Sequence, residues 1–183
     1  MEKMKVRDLM VPVDRFPKIS ENASLYEALS SLEEVQEAFL SEKSQYRILL
    51  VEDEAGHVIG KISPIDLFLG LERNYAKVNY EESLRNFGLS YVSDTMQEDY
   101  NLWQSPFKDL CRKAVNVHVK DFLNVPSDSQ SVDTENNLSK CLHLFVMNRH
   151  DALFVHENKK LVGMLLFSDI YAKVSQVIKA CAF

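Results

Sequence analysis

Two short stretches carry residue types able to hold a polar ligand. In Gly60-Lys61-Ile62-Ser63-Pro64-Ile65-Asp66, and again in Gly163-Met164-Leu165-Leu166-Phe167-Ser168-Asp169, a Gly opens an apolar run, an Asp follows six residues later and an apolar helical pattern begins at once. Each reads as a strand passing into a helix, with the Asp at the junction. A carboxylate accepts hydrogen bonds from two donors, so it can hold both hydroxyls of a sugar diol. Ser63 adds a hydroxyl, Pro64 suits the first helical position, and the free amides and positive dipole end of a helix opening there suit a phosphate. The same Ser-x-x-Asp spacing also makes a helix cap, in which the carboxylate reaches back to an unpaired amide and contributes about 1 kcal/mol with no ligand at all. Spacing leaves both readings open.

The elements that must position these junctions can be followed along the chain. Val6 to Pro12 is a short apolar segment stopped by Pro, and Arg15-Phe16-Pro17-Lys18-Ile19 is held extended by its own Pro. A helix is predicted from Ser24, which forms a capping box with Glu27 and is followed by Leu25, Ala28, Leu29, Leu32 and Phe39 at helical spacing over roughly five turns. Arg47-Ile48-Leu49-Leu50-Val51 is nearly all apolar, as in a strand covered on both faces. A polar turn at Glu52 to Gly56 returns the chain as the strand His57 to Ile62. The order is strand, helix, strand, strand, helix.

That order recurs. Val119-Lys120-Asp121-Phe122-Leu123 answers Val6-Arg7-Asp8-Leu9-Met10, and Val132 to Leu138 answers Ile19 to Leu25, both at an offset of 113. Cys141, Leu142 and Phe145 continue a helical face from Leu138. Ala152 to Val155 then answers Ile48 to Val51 at 104, and Asp169 answers Asp66 at 103. A drift of this size belongs to a longer helix end and turn in the first copy, at the surface. Between the copies, about Arg73 to His118 does not repeat. It carries helical cues at Tyr75, Val78, Leu84 and Phe87, then at Ser105-Pro106 ahead of Phe107, Leu110, Cys111 and Ala114, with Trp103 placed to staple that helix.

Composition narrows the function classes. A net charge of −6 argues against a broad footprint for nucleic acid or an anionic membrane. Only five Gly are present, and no two have the spacing of a phosphate or dinucleotide loop. No apolar run suits a signal peptide or a membrane span, so a soluble cytoplasmic protein is the expectation. Cys111, Cys141 and Cys181, odd in number and irregularly spaced, read as reduced and mostly buried. Cys141 and His143 lie two apart on a helix and face different ways, which disfavours both a metal pair and a nucleophile with its base. No nucleophile, base and orienting group converge, so an enzyme is not expected.

The paired units, each with a leading V-x-D-apolar segment, a patterned helix, two strands around a turn and a terminal G…D junction, resemble a tandem CBS-domain pair, the Bateman module. The resemblance covers nearly all of Val6 to Val177 outside the inserted segment. It implies an α/β fold of two β-α-β-β-α repeats related by a pseudo-twofold axis, with the first repeat at 1–72, a helical insertion or linker at 73–118 and the second repeat at 119–183. It also implies clefts between the repeats that bind an adenosine-containing ligand such as AMP, ADP, ATP or S-adenosylmethionine, with no required cofactor, and regulation of a partner protein, often as a homodimer. On these positions Ser63, Pro64 and Asp66 match the phosphate and ribose contacts, with Phe16, Lys18 and Ile19 as further wall and charge. Val132, Ser168 and Asp169 match them in the second copy. Lys61, Arg47 and Arg149 are other sources of positive charge. Leu166 stands where Ser63 stands, so unequal sites are expected, with occupancy favoured at Asp66. The alternative is a ligand-free dimerisation or scaffolding module acting through the helical insertion.

Overall fold

The computed structural model describes residues 4–71 and 109–181. In chain order the strands are β1 (Val11–Pro12), β2 (Lys18–Ser20), β3 (Leu49–Glu52), β4 (Val58–Ile62), β5 (Ser131–Asp133), β6 (Ala152–Glu157) and β7 (Lys160–Leu166). The helices are α1 (Leu25–Leu40), α2 (Pro64–Leu71), α3 (Leu110–Asn116), α4 (Leu138–Asn148) and α5 (Phe167–Lys179). The chain divides into two compact units, one formed by Pro17–Asn124 and the other by Met1–Phe16 together with Val125–Phe183. They are called here the first and second units.

In the first unit, β3 lies between β2, its parallel neighbour, and β4, its antiparallel neighbour, with Lys18 opposite Leu50 and Val51 opposite Gly60. Leu49, Leu50 and Val51 are all buried, which is why β3 is apolar without alternation. Helix α1 starts where its capping box places it. The Glu27 amide donates to Ser24 Oγ at 3.2 Å, and the Ser24 amide donates to Glu27 Oε2 at 2.7 Å. Its inward stripe is Leu25, Ala28, Leu32 and Val35, whereas Leu29, expected on that stripe, is 43% exposed. The core is completed by Ile62, Leu67, Val117, Val119 and Phe122.

In the second unit, β6 pairs with β5 in parallel and with β7 antiparallel, and β1 adds to the free edge of β7 through Val11 opposite Met164. Its core holds Val6, Val132, Leu138, Cys141, Phe145, Leu153, Val155, Leu165 and Ile170.

Each unit combines the sheet and helices of one repeat with the leading segment of the other. In the second unit the turn Val6–Asp8 docks through the Val6 amide to Asn136 O at 3.0 Å and the Arg7 amide to Thr134 O at 3.2 Å. In the first unit the turn Val119–Asp121 docks through the Val119 amide to Ala23 O and the Lys120 amide to Glu21 O, both at 2.9 Å. Every one of these positions is related to its counterpart by the 113-residue offset. The glycines record the same docking: a Cβ on Gly60 would meet the Leu123 side chain at 2.8 Å, and one on Gly163 would meet the Val11 carbonyl oxygen at 2.5 Å.

Of the inserted segment, the described part is α3, which contains Leu110, Cys111 and Ala114 as its pattern predicts. The expectations on Tyr75, Val78, Leu84, Phe87, Trp103, Ser105, Pro106 and Phe107 lie outside the described residues. The cysteine expectation needs correction. Cys141 is buried, but Cys111 and Cys181 are exposed, because α3 buries none of its residues and Cys181 follows the end of α5.

Candidate ligand site at the strand-to-helix junctions

At the first junction β4 ends at Ile62, Ser63 intervenes and α2 begins at Pro64, whose missing N–H costs nothing in a first turn. The Ser63 amide and the Ser63 hydroxyl both donate to Asp66 Oδ2, each at 2.8 Å. The Asp66 amide returns a bond to Ser63 O at 3.0 Å. The carboxylate therefore closes on the residue before the helix and lies near the positive end of the helix dipole. Its other oxygen, Oδ1, takes no hydrogen bond among the described residues. Ile65 and Phe68, on the outer side of α2, are exposed.

Of the other residues singled out in this copy, Ile19 lies on β2 and packs against the first unit's core. Lys18 is two strands away from the junction across β3, and its ammonium is paired with Glu52, the residue that ends β3. Phe16 is buried and belongs to the second unit. The Arg47 guanidinium sits over the Phe39 ring at 4.6 Å from its centroid. Arg149 closes α4 in a left-handed conformation, with φ of 52°.

The second junction has the same backbone plan and different chemistry. Leu166 is the N-cap of α5 and supplies no side-chain cap, while the Phe167 amide donates to Asp151 O at 3.0 Å. Asp169 sits in the first turn, half-buried, and its carboxylate makes no hydrogen bond among the described residues. Burial holds its carboxyl above the ordinary carboxylate value, because the charged form is the one that loses water. Ser168 is exposed. Val132 is buried in the second unit's core, so its side chain belongs to packing. Phe167 meets Phe145 edge-on, with centroids 5.6 Å apart. Cys141 is buried nearby on α4, and burial pushes its thiol up to about 11, which keeps it protonated at neutral pH.

The structure thus brings Ser63, Pro64 and Asp66 together at one junction and Ser168 and Asp169 at the other. Sequence reasoning missed two partners of neighbouring residues. Glu52, which pairs with Lys18, could have been found as an acidic residue at a strand end facing a β2 lysine. Nothing in the sequence pattern marks the Asp151 carbonyl that accepts from the Phe167 amide, because a backbone acceptor is independent of residue type.

The two repeats, their β-α-β-β-α order and the paired junctions define a tandem CBS pair. The chain belongs to the CBS-domain family, whose model matches residues 6–73 and 117–176. Solved structures share the fold. A CBS domain-containing protein of unknown function from Bacillus anthracis is 16% identical, with 96% of this chain and 95% of that chain covered and a TM-score of 0.60. A putative acetoin utilization protein from Vibrio cholerae is 15% identical over 96% and 93%, with a TM-score of 0.57. CBSX2, solved in complex with AMP, is 19% identical over 95% and 98%, with a TM-score of 0.55. No curated protein matches the sequence. Among the described residues no helix is long and apolar enough to cross a membrane.

Proposed function

We propose that this chain is a regulatory module that binds an adenosine-containing ligand at its strand-to-helix junctions and signals occupancy to a protein partner, as a homodimer. The observation that carries the reading is the repetition of a first-turn carboxylate at the end of a Gly-containing strand, Asp66 in one unit and Asp169 in the other. A carboxylate so placed can accept both hydroxyls of a ribose, and the helix amides beside it favour a phosphate. The AMP complex of CBSX2 supports the ligand class. Signalling follows if the ligand binds one pose of the module better than another.

A second reading draws on a specific observation. One oxygen of Asp66 is already held by Ser63 as in a helix cap, so that junction can persist without a ligand, and the module would then act by dimerisation or scaffolding. Thermal-shift measurements on protein stripped of carried-over ligand, with AMP, ADP, ATP and S-adenosylmethionine, separate the two. Selective binding to the folded state raises the melting temperature by mass action. No rise with any of the four removes the ligand-sensing reading and leaves the scaffold.

A further inference from the structure

The helices that cover each sheet leave apolar side chains on their outer surfaces, and some of these stand at repeat-related positions. In the first unit α1 packs against α2, and Tyr26, Leu29, Ile65 and Phe68 on this pair are exposed. In the second unit α4 packs against α5, and Leu142, Val146, Phe167, Tyr171 and Ile178 are exposed. Leu29 and Leu142 are related by the 113-residue offset, and Phe68 and Tyr171 by the offset of 103 that relates the junctions. Tyr171 lies four residues and Ile178 eleven beyond Phe167, which puts the three on one side of α5. Leu142 and Val146 are four apart on α4 and flank Phe145, whose ring meets Phe167. A single exposed apolar residue is ordinary, whereas rows rich in aromatic side chains on two adjoining helices are the material of interfaces.

The two faces differ in charge. Helices α1 and α2 carry five acids, Glu27, Glu33, Glu34, Glu37 and Asp66, and no Lys or Arg. Helices α4 and α5 carry Lys140, Lys173 and Lys179 against the single acid Asp169. Two of the acids lie within the apolar row. Leu29, Glu33 and Glu37 follow one another at intervals of four and form one exposed line along α1. The residue of α4 related to Glu33 by the repeat is Val146, exposed and uncharged. Lys140 and Lys179 are exposed on the helices that bear the second apolar row, and lysine stems can lie along apolar surface while the ammonium stays in water.

An apolar face with an acidic row is complementary to an apolar face with lysines beside it, and this chain carries one of each. Two acidic faces brought together would set like charges opposite one another and be penalised, and so would two basic ones. Resting on the reading of the chain as a homodimer, we propose that the exposed α1–α2 face of one copy docks on the exposed α4–α5 face of a second copy, reciprocally, so that unlike units meet twice. Each copy then has both faces covered, which ends the assembly at two.

The test is sedimentation equilibrium of the full chain and of three charge-reversed variants. One carries Glu33→Lys with Glu37→Lys, one Lys140→Glu with Lys179→Glu, and one all four changes; Glu27 and Asp66 are left alone because they cap their helices. The wild type is expected to be a dimer whose dissociation constant rises with salt. Each paired reversal sets like charges across both contacts and is expected to weaken the dimer by about tenfold or more, with an unchanged circular dichroism spectrum. The fourfold variant restores opposite signs and is expected to return the dissociation constant to within about threefold of the wild type. A wild type that stays monomeric at every concentration overturns the homodimer and this inference together. A dimer that either paired reversal fails to weaken, or that the fourfold variant fails to restore, overturns the docking of unlike faces and leaves the homodimer standing. Growth beyond two copies overturns the reciprocal closure.

Discussion

The first and second junctions follow one backbone plan and end in different hydrogen-bonding states. In both, a strand containing a buried glycine delivers the chain into a helix with an Asp in its first turn. Asp66 is closed by its own serine, whereas Asp169 follows an N-cap leucine and has no donor. One residue, Ser63 against Leu166, separates a carboxylate that closes a cap from one without a side-chain donor. Preserving a motif at a repeat therefore does not preserve the hydrogen bonds of its carboxylate.

The largest test of this contrast concerns the exchanged segments that support the junctions. Phe122 belongs by sequence to the second repeat but is buried in the first unit, against Gly70 of α2. Phe122→Ala is expected to cost about 3–5 kcal/mol. Hydrogen exchange should show the loss of protection in α1 and α2, with α4 and α5 retaining theirs. Equal loss in both sets of helices would mean that the units do not respond separately.

A smaller difference is expected at the strand glycines. A Cβ at position 163 would lie 2.5 Å from a backbone oxygen of Val11, which cannot move without disturbing β1. At position 60 the obstacle is the end of the Leu123 side chain at 2.8 Å, which can rotate away. Gly163→Ala should therefore lower stability by about 1–3 kcal/mol and Gly60→Ala by less, read from denaturant midpoints. The reverse order would break the assignment of close approach to β1.

The smallest effects distinguish the carboxylates themselves. Asp66→Ala removes a cap and should lower the stability of the unliganded protein by about 1 kcal/mol. Asp169→Asn removes an unpartnered, partly desolvated charge and should raise stability, by well under about 1 kcal/mol once solvent screening is counted. The pH dependence has a definite sign. An acid whose folded-state pKa is raised keeps its proton longer when folded, so stability falls as pH climbs from the unfolded to the folded value. The gain from Asp169→Asn is accordingly full above the folded value and fades as pH drops below it. Thermal melts of both variants across the acidic range check this.

Much of the fold was legible because it rests on local physics. The Ser24–Glu27 box set the start of α1, the apolar run at Leu49–Val51 marked a strand covered on both faces, and Pro64 marked the first turn of α2. Misplaced details have tertiary causes. Leu29 satisfies a helical period yet lies on the outer face, because the stripe that meets the sheet turns toward Val35. Val132 answers Ile19 in the repeat, but its side chain is taken up by the core formed with Val6, Leu138 and Val155. Lys18, read as a source of positive charge, is paired with Glu52 because register places β2 beside the strand that ends there.

What the sequence determined by itself is the existence of two copies, the order of their elements and the position of a carboxylate at the end of each strand. Those features depend on periodicity, capping and turn chemistry, which act within a few residues. Tertiary structure alone decided which unit each leading segment completes. The two V-x-D segments carry the same local signal, so nothing near them in sequence says that Val6 docks at Asn136 and Val119 at Ala23. That choice is made by backbone hydrogen bonds and burial over more than ninety residues of chain, where local propensity has no reach.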